Sequence, residues 1–566
     1  MKEVVIKILK KALKQLKVDL TKQEVEKLIE IPPKTDMGDY AFPCFFMAEE
    51  LKMSPHEIAL KIRENIGNIP LTDLDEVNIS GGYVNFFIDR KSLARQVIWD
   101  SIQKKKNFGK LKLGNKKKIV VEFSSPNIAK PFGIGHLRST IMGNSIVNLC
   151  KFVEYKPIKI NYLGDWGTQF GKLLYGFEKY GNENKLMKAP IKHLLDIYVK
   201  VNKSKKNEDP SREAFKRLEQ RDKKALMLWK VFRNLSLKEF EKLYKILNIE
   251  FDSYEGESDT VKYSKRVIDE LNKKQLLKKS KGALIVDLKK YNLGVCLIQK
   301  TDGTTLYATR DLAAAIKRYE KYKFEKMIYQ VGKEQELHFQ QIFKVLELMG
   351  YEWAKNCIHS IHGLYLDKDG KKFATRKGKT IFMEDILEKT KKLTAKEIKK
   401  RFPKIKKYDL EERALKVAIA AIFYGDLKNN KKNDIIFDIK KFTSFEGDTG
   451  PYILYTYARA SSILKKADKK KITNKFKIPD LEDQEFELIK KLSQFQDQVL
   501  ESFTHLNPSF IANYCYQVCQ KFNEFYQSCP VISSDHSMFR LALVESSRQV
   551  LRNALGLLGI ATLEEM

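Results

Sequence analysis

The sequence has no apolar run long enough to cross a membrane. The longest run, Val417 to Tyr424, is less than half of the roughly 18 residues that a membrane-spanning helix needs. We therefore expect no membrane association. The N-terminal segment carries a charge every few residues, so it lacks the apolar core of a signal peptide and has the spacing of a core-facing helix.

Cysteine is scarce and irregularly spaced. The chain has 7 cysteines in 566 residues and no C-x-x-C pair. An odd number of scattered cysteines is typical of a reducing compartment, so we expect a cytoplasmic protein without disulfides. Cys515 and Cys519 share a helix face and leave a metal site open as an alternative. Without further ligands at zinc spacing, two buried thiols and no structural zinc are the prediction.

Acidic residues are in the minority. There are 105 Lys and Arg against 72 Asp and Glu, which gives a formal net charge of +33. Such an excess favours nucleic acid or anionic lipid as a partner. The excess is mostly Lys and is spread along the chain, and a Lys-rich genome composition would produce the same pattern. Both interpretations stay open on charge alone.

Hydrophobic periodicity predicts a multidomain α/β protein with four parts. Residues 1–100 form a small α+β domain and residues 101–117 a linker rich in Lys and Gly. Residues 118–440 form a Rossmann-like catalytic core on a parallel sheet, with a helical insertion at about 186–250. Residues 441–566 form an all-α bundle.

The sheet of the core is predicted from short apolar runs that alternate with helical patterns. The predicted strands are Ile119 to Phe123, Ile158 to Tyr162, Ala283 to Leu288, Val295 to Gln299, Lys326 to Val331 and Cys357 to Leu366. In the N-terminal domain, a strand after Gly82 alternates Tyr83, Asn85 and Phe87 with apolar residues. The strand face that carries Tyr83, Asn85 and Phe87 is either simply half-exposed or a surface on which an unpaired base stacks.

The segment from Glu122 to Gly143 carries the strongest chemical signal. A strand ends, a loop with small residues follows, and a helix begins near His136. Small residues let a nucleotide approach the backbone, and the helix N-terminus offers N–H groups and a positive dipole to phosphate. The Walker pattern is absent, so this is not a P-loop. From these residues alone, His136 is either a phosphate donor or a helix-capping residue.

The same segment resembles the His-x-Gly-His signature of class I aminoacyl-tRNA synthetases. The string S-P-N-I-A-K-P-F-x-x-G-H-L-R-S-T is similar to arginyl-tRNA synthetases in particular. Four further strings resemble the same family in the same order. They are N-Y-L-G-D-W-G-T-Q-F-G (161–171), Y-x-G-E-S (254–258), D-G-T-T-L-Y-A-T-R-D-L-A-A-A (302–315) and G-D-T-G-P-Y-x-L-Y (447–455).

The resemblance implies that the chain joins L-arginine to tRNA(Arg) with ATP, through an arginyl-adenylate, and that tRNA binds before arginine is activated. ATP is expected as a substrate with Mg²⁺, no metal is bound by the protein itself, and a monomer is expected. The residues expected to act in catalysis are His136, Lys130, Lys372, Arg376 and Lys377. Those expected to bind ATP are Gly133, Gly135, His136, Lys372 and Lys377.

The substrate arginine makes a demand of its own, because its guanidinium is a permanent cation with five donors. A basic chain must offer it a local acidic pocket, and Asp311, one helical turn after Tyr307, is the expected partner. Without the motif, Asp311 would be interpreted as a helix N-cap. By resemblance, the full set of arginine-binding residues is Ser125, Pro126, Asn127, His136, Glu257, Tyr307, Asp311 and Gln335.

By resemblance, the terminal domains contact tRNA(Arg). The N-terminal domain would use Tyr83 and Asn85, and the C-terminal bundle would bind the anticodon loop with Tyr452 and Tyr455. Tyr457 is a further candidate, although at least one of these tyrosines is expected to pack in the core.

The sequence departs from the family pattern in two places. Gly133 stands where the first His of His-x-Gly-His is expected, and Lys130 is one donor that would substitute for it. Phe373 and Ala374 replace Met and Ser of the second class I signature, in the segment 371–379. Two alternatives therefore stay open: a synthetase-like protein with impaired activity, and a class I synthetase for another amino acid.

Overall fold

The computed structural model describes residues 2–67, 74–301, 303, 305–371, 382–467 and 476–566. The chain divides into two compact units, and each is described separately. The first comprises Met1–Phe108, Ile463–Gln494 and Gln520–Val550. The second comprises Gly109–Ser462, Phe495–Cys519 and Leu551–Met566. The C-terminal part of the chain thus contributes helices to both units.

The N-terminal part of the first unit is a small α+β domain, as predicted. Its strands form an antiparallel sheet in the order β1-β3-β2. They are β1 Tyr40–Pro43, β2 Leu74–Ser80 and β3 Tyr83–Ile88. Its helices are α1 Lys2–Gln15, α2 Lys22–Leu28, α3 Ala48–Leu51, α4 Pro55–Ile66 and α5 Arg90–Lys104. Because α5 continues to Lys104, the first residues of the predicted linker are helical.

The strands of the second unit form three sheets. They are β4 Lys118–Glu122, β5 Lys156–Ile160, β6 Leu277–Ser280, β7 Ala283–Asp287, β8 Val295–Gln299, β9 Lys326–Gly332, β10 Cys357–His362, β11 Tyr365–Leu366 and β12 Ile435–Ile436. The central sheet has the order β10-β9-β4-β5, and all its neighbours are parallel. The predicted parallel core is therefore confirmed.

Two predicted strands lie elsewhere, and the prediction that they belong to the parallel core is wrong. β7 and β8 pair antiparallel in a separate sheet with β6. The short connection from Asp287 to Val295 allows a hairpin, whereas a parallel pair needs a crossover of roughly a dozen residues or more. The predicted strand from Cys357 to Leu366 is also two strands, β10 and β11, and β11 pairs with β12.

Helices cover the central sheet. Those of the second unit up to residue 442 are α6 Ile134–Phe152, α7 Thr168–Tyr180, α8 Glu183–Lys188, α9 Pro190–Asn202, α10 Glu208–Glu219, α11 Lys223–Ile246, α12 Val261–Lys273, α13 Tyr307–Tyr322, α14 Glu336–Leu348, α15 Met383–Arg401, α16 Lys407–Leu427 and α17 Ile439–Phe442. The predicted helical insertion contains α8 to α11. Val120 of β4 and Met327 of β9 share one buried core with α12, α13 and α14.

The C-terminal part of the chain is helical, as predicted. Its helices are α18 Gly450–Lys466, α19 Asp483–Ser493, α20 Phe495–Thr504, α21 Ser509–Ser528 and α22 Ser537–Leu557. All seven cysteines are buried and none forms a disulfide. Burial raises the pKa of the Cys519 thiol to about 12. Within the described ranges, no helix combines the length and hydropathy that a membrane span requires.

Candidate active site

The loop that follows β4, residues 123–133, is held by buried hydroxyl groups. The Ser124 hydroxyl lies 2.7 Å from that of Tyr244 and accepts a hydrogen bond from Thr140 Oγ1 at 2.8 Å. Ser139 Oγ accepts from Ser124 N at 3.0 Å and donates to the Gln330 carbonyl at 2.6 Å. These contacts fix a backbone that passes through positive φ at Ser124, with φ 73°. The loop is therefore preorganised at the carboxyl ends of β4 and β9, where open α/β sheets bind ligands.

The helix α6 begins directly after this loop, with Gly133 as its N-cap. The Gly133 N–H donates to His136 Nδ1 at 3.3 Å, so the His136 proton resides on Nε2. Burial, with a contribution from Lys130, lowers the pKa of His136 to about 4. A Cβ placed on Gly135 would meet no atom within 4 Å. The first turn thus presents a neutral N–H donor beside open space.

Backbone bridges connect this loop to two further segments. Asn127 pairs with Gly164, and Leu163 pairs with Gly256. The Glu257 N–H then donates to the Leu163 carbonyl at 3.0 Å. Side chains are excluded at the two glycines, since a Cβ on Gly164 would lie 2.2 Å from Asn127 Oδ1. Asn127 and Glu257 are 130 positions apart in the sequence. These backbone bridges nevertheless connect their segments directly.

Asp165 holds the same backbone bridges in place through side-chain hydrogen bonds. Its buried carboxylate accepts from Arg233 Nε at 2.9 Å and from both the N–H and the hydroxyl of Ser258 at 2.9 Å. Burial raises the pKa of Asp165, and these donors oppose the shift. A Cβ on Gly256 would lie 2.1 Å from Asp165 Oδ2. The carboxylate therefore sets the position of the turn that carries Glu257.

Three carboxylates, Glu122, Glu257 and Asp311, form a cluster of interacting groups that we call the acidic pocket. Each contacts a cationic or ionisable side chain of the protein. Glu257 Oε2 lies 3.1 Å from Arg310 Nε, and buried Glu122 pairs with buried Arg318. Asp311 Oδ2 lies 2.6 Å from His338 Nε2. Asp311 interacts electrostatically with both glutamates.

The members of the acidic pocket differ in their exposure to solvent. The Asp311 side chain is 23% exposed, against 13% for Glu257 and 6% for Glu122. Burial raises the pKa of Glu257 to about 8, although Arg310 opposes the shift. Tyr307, one turn before Asp311 on α13, is 60% exposed and lies over Arg310. Asp311 and Tyr307 therefore form the accessible side of the pocket.

The other predicted site residues fall in several places. Ser125 Oγ is buried and has no hydrogen-bond partner among the described residues. The Pro126 carbonyl accepts from Gly164 N, and Gln335 is exposed on the turn before α14. Lys130 Nζ lies 5.4 Å from the centre of the Tyr198 ring. The predicted residues Lys372, Arg376 and Lys377, with Phe373 and Ala374, lie outside the described residues.

Comparisons with known proteins agree along the whole chain. Models of three families match: "tRNA synthetases class I (R), catalytic domain" over residues 98–439, "DALR anticodon binding domain" over 453–566 and "Arginyl tRNA synthetase N terminal domain" over 3–88. The arginine–tRNA ligase of Clostridium perfringens is 44% identical over 557 residues, covering 97% of this chain and 98% of that protein. The chain belongs to the class I arginyl-tRNA synthetases.

Solved structures support the same fold. The arginyl-tRNA synthetase of Thermus thermophilus aligns over 100% of both chains with a TM-score of 0.83 and 24% identity. That of Plasmodium falciparum aligns over 100% of this chain and 99% of its own, with a TM-score of 0.84 and 23% identity. The family model and the 44% identical relative, in contrast, remove the alternative of a class I synthetase for another amino acid.

The residues expected to contact tRNA differ in accessibility in this arginyl-tRNA synthetase. Tyr83 is partly exposed and packs edge-on against Phe45 at 5.2 Å between ring centres, whereas Asn85 is buried. Only 6% of Asn85 is exposed, although it lies on the same strand face as Tyr83, because the segment at Gly38 packs against it. Tyr452 and Tyr455 are partly exposed on α18. Tyr457 is buried, as expected for at least one of the tyrosines.

Sequence reasoning missed the cationic or ionisable partner of each carboxylate in the acidic pocket. Arg310 and Asp311 are adjacent in the sequence, yet Arg310 contacts Glu257 whereas Asp311 contacts His338. Arg318 lies 196 positions from Glu122, and no local pattern connects the two. His338 lies three positions after Gln335, in the first turn of the helix that follows a predicted strand. That position could have indicated His338 as a further site residue. Glu122 itself ends a predicted buried strand, where a lone carboxylate already implied a buried partner.

Proposed function

We propose that this arginyl-tRNA synthetase binds the guanidinium of arginine at Asp311 and ATP at the N-terminus of α6. Arginine–tRNA ligase activity is that of the family to which the chain belongs. The observation that carries the assignment is the difference between the partners of the three pocket carboxylates. Glu257 and Glu122 each contact a guanidinium of the protein, which keeps its charge, whereas Asp311 contacts an imidazole.

The arginine side chain would therefore enter from the exposed side of the acidic pocket. Asp311 accepts the guanidinium and Tyr307 lines the entrance. Glu257 and Glu122 lie behind them, each paired with an arginine of the protein. Ser125, Asn127 and Gln335 are assigned to the α-amino and carboxylate end. The buried Ser125 hydroxyl, which has no protein partner within the described structure, supports this assignment.

In the first step, the arginine carboxylate attacks the α-phosphorus of ATP in line and diphosphate leaves. The protein supplies no covalent nucleophile, so positioning and charge stabilisation carry catalysis. The His136 Nε2–H donates to a phosphate oxygen, and the dipole of α6 adds to it. Lys130, Gly133 and Gly135 complete the ATP side, and Lys372, Arg376 and Lys377 keep their proposed role on the triphosphate.

ATP is proposed to bring Mg²⁺ as its counterion. In the described part of the chain, no group of three His, Cys, Asp or Glu side chains is arranged to hold a metal ion. Mg²⁺ commonly binds through substrate phosphates with few protein ligands, and that mode fits this site. The ion would neutralise charge on the triphosphate.

In the second step, the 2′-hydroxyl of the terminal adenosine of tRNA(Arg) attacks the arginyl carbonyl and AMP leaves. We propose that Tyr83 contacts the tRNA elbow and that Tyr452 and Tyr455 contact the anticodon loop, since RNA sequence is read mainly in unpaired bases. The protein is proposed to act as a cytoplasmic monomer.

The decisive experiment charges total tRNA with each of the twenty amino acids and measures diphosphate release in parallel. Arginine alone should be attached, and diphosphate release should require arginine, ATP and tRNA together. Charging of a different amino acid would contradict the pocket assignment. Absence of charging with a folded protein would favour the alternative of an impaired, tRNA-binding relative, motivated by Gly133, Phe373 and Ala374.

A further inference from the structure

His338 occupies the exposed edge of the acidic pocket. It lies in the first turn of α14, and its Nε2 contacts Asp311 Oδ2 at 2.6 Å. The His338 side chain is 25% exposed, so the pair is accessible to solvent and to a small substrate. His359 on β10 interacts electrostatically with His338. The groups that interact with Asp311 are Glu122, Tyr162, Glu257, Cys296, Tyr307 and Tyr329.

We propose that His338 is a positioning residue whose charge state decides whether Asp311 accepts the substrate guanidinium. The proposal rests on the arginine site assigned above. When His338 is neutral, its Nε2–H donates one hydrogen bond to Asp311 and leaves the negative charge and Oδ1 available. When His338 is protonated, it neutralises Asp311 and places a second cation beside the incoming guanidinium.

Of the three carboxylate contacts in the described pocket, only that of Asp311 is made with an imidazole, a group that exists in neutral and charged forms near neutral pH. Glu257, whose pKa is raised to about 8, is a second group of the pocket that can exchange a proton in this range. Arg310 and Arg318 remain cationic at every pH that the protein tolerates. Burial lowers the pKa of His359, which favours the neutral form of that imidazole. The N-terminus of α14 carries the positive end of the helix dipole, which adds to the cost of a protonated His338 beside a second cation.

Proton and arginine therefore bind antagonistically. Such coupling between two ligands is reciprocal and typically changes affinity by about 5- to 150-fold. Imidazoles change charge between about pH 5 and 8. The dissociation constant for arginine should rise at least about fivefold as the pH is lowered across that range. In the acidic half of the range, arginine binding to the wild type should release more protons to the solvent than binding to a variant that lacks this imidazole.

The test is titration calorimetry of the full chain with L-arginine across that pH range. Two buffers of different ionisation enthalpy report the number of protons released. His338→Gln keeps an amide donor for Asp311 and never carries a charge, so its arginine affinity should vary less with pH than that of the wild type. Any pH dependence that remains in this variant reports on Glu257. In steady-state charging, the wild-type pH effect should appear in the KM for arginine and leave kcat at saturating arginine and the KM for ATP unchanged.

His505→Gln is the matched control, because His505 also contacts a carboxylate, Glu501, at 3.3 Å on an exposed surface. It should retain the wild-type pH dependence. Equal pH dependence in His338→Gln and the wild type overturns the proposal. The proposal is also overturned if the wild type binds arginine at acidic pH without releasing protons. This second outcome does not depend on whether the variant folds. Unchanged arginine affinity in Asp311→Asn contradicts instead the arginine site of the proposed function.

Discussion

At the N-terminus of α6 the site consists of backbone groups, hydroxyls and a neutral imidazole, whereas the acidic pocket consists of carboxylates that each contact a cationic or ionisable side chain. The first region comes from one continuous segment, residues 123–143. The second assembles Glu122, Glu257 and Asp311 from three separate segments. An open site built mainly from uncharged donors at a helix N-terminus, with Lys130 nearby, suits a polyanionic substrate, and a pocket of competing charges suits selection of one cation.

The largest effect is expected for Asp311→Asn, which removes the charge of the accessible carboxylate. Loss of one partner of a desolvated charge pair costs about 3–5 kcal/mol, so arginine affinity should fall by two decades or more. ATP affinity should persist, because Asp311 is not part of the proposed ATP site at the N-terminus of α6, which we call the α6 region. Calorimetry with each substrate measures both. Asp269→Asn, an exposed change on α12, is the control, and arginine affinity equal to the control would remove Asp311 from the site.

A substitution outside both regions should weaken the binding of tRNA(Arg) without changing the binding of arginine or ATP. The ring of Tyr455 lies within 5.4 Å of the Arg401 guanidinium and 4.9 Å of that of Arg459. Tyr455→Ala removes this aromatic and cationic surface, and loss of a stacked base costs about 1–3 kcal/mol. The KM for tRNA(Arg) should rise about fivefold or more, with the KM for ATP unchanged.

Tyr408→Ala, at a tyrosine that is 78% exposed, serves as the control for general surface effects. Equal tRNA kinetics in the two variants would refute the role of Tyr455. A point change is preferable to deletion of residues 442–566. That segment supplies the Leu557 carbonyl to Ser145 Oγ and the Ala512 carbonyl to Tyr424, so deletion would damage the core of the second unit.

The α6 region was predictable from the sequence because its parts are adjacent in the chain. Strand, loop, glycines and His136 follow one another, and their geometry follows from local rules. The acidic pocket was predictable only in part. Asp311 follows from the chemistry of arginine, but Arg318 and His338 reach their carboxylates through tertiary packing. The antiparallel placement of β7 and β8 was missed because apolar runs predict strands and not their partners.

The neutral state of His136 can be tested through stability. Its pKa is lowered to about 4 in the folded protein, below the ordinary value of about 6.5, so the unfolded chain takes up the proton first as the pH falls. This contribution to stability is present above about pH 6.5 and is lost as the pH falls towards 4.

His136→Gln carries no titratable group and should therefore lose about 1–2 kcal/mol less stability than the wild type between pH 7 and 5. Urea unfolding at both pH values measures this difference. His505→Gln provides the comparison at an exposed imidazole. Equal pH sensitivity in His136→Gln and the wild type would mean that His136 is not held neutral.

Gly135→Ala separates helix stability from nucleotide binding. The site of a Cβ is open, and Ala is favoured over Gly in a helix by about 0.5–1 kcal/mol. The variant should therefore be slightly more stable. If ATP lies over this turn, the methyl group occupies its space and the KM for ATP should rise, while arginine affinity stays constant. Greater stability with an unchanged KM for ATP would place the nucleotide elsewhere.

The smallest effect is expected for Gly133→His, which introduces the residue of the family signature. Gly133 has φ −89° and ψ 169°, an extended conformation that histidine adopts without strain. The backbone therefore accepts the substitution, and urea unfolding measures whether the buried position also accommodates the larger side chain. A donor beside the His136 imidazole should hold or raise the rate of arginine activation, measured as diphosphate release with tRNA present. A tenfold fall in that rate, with the unfolding free energy unchanged, would show that the α6 region depends on glycine at this position and that its uncharged, open character is a requirement.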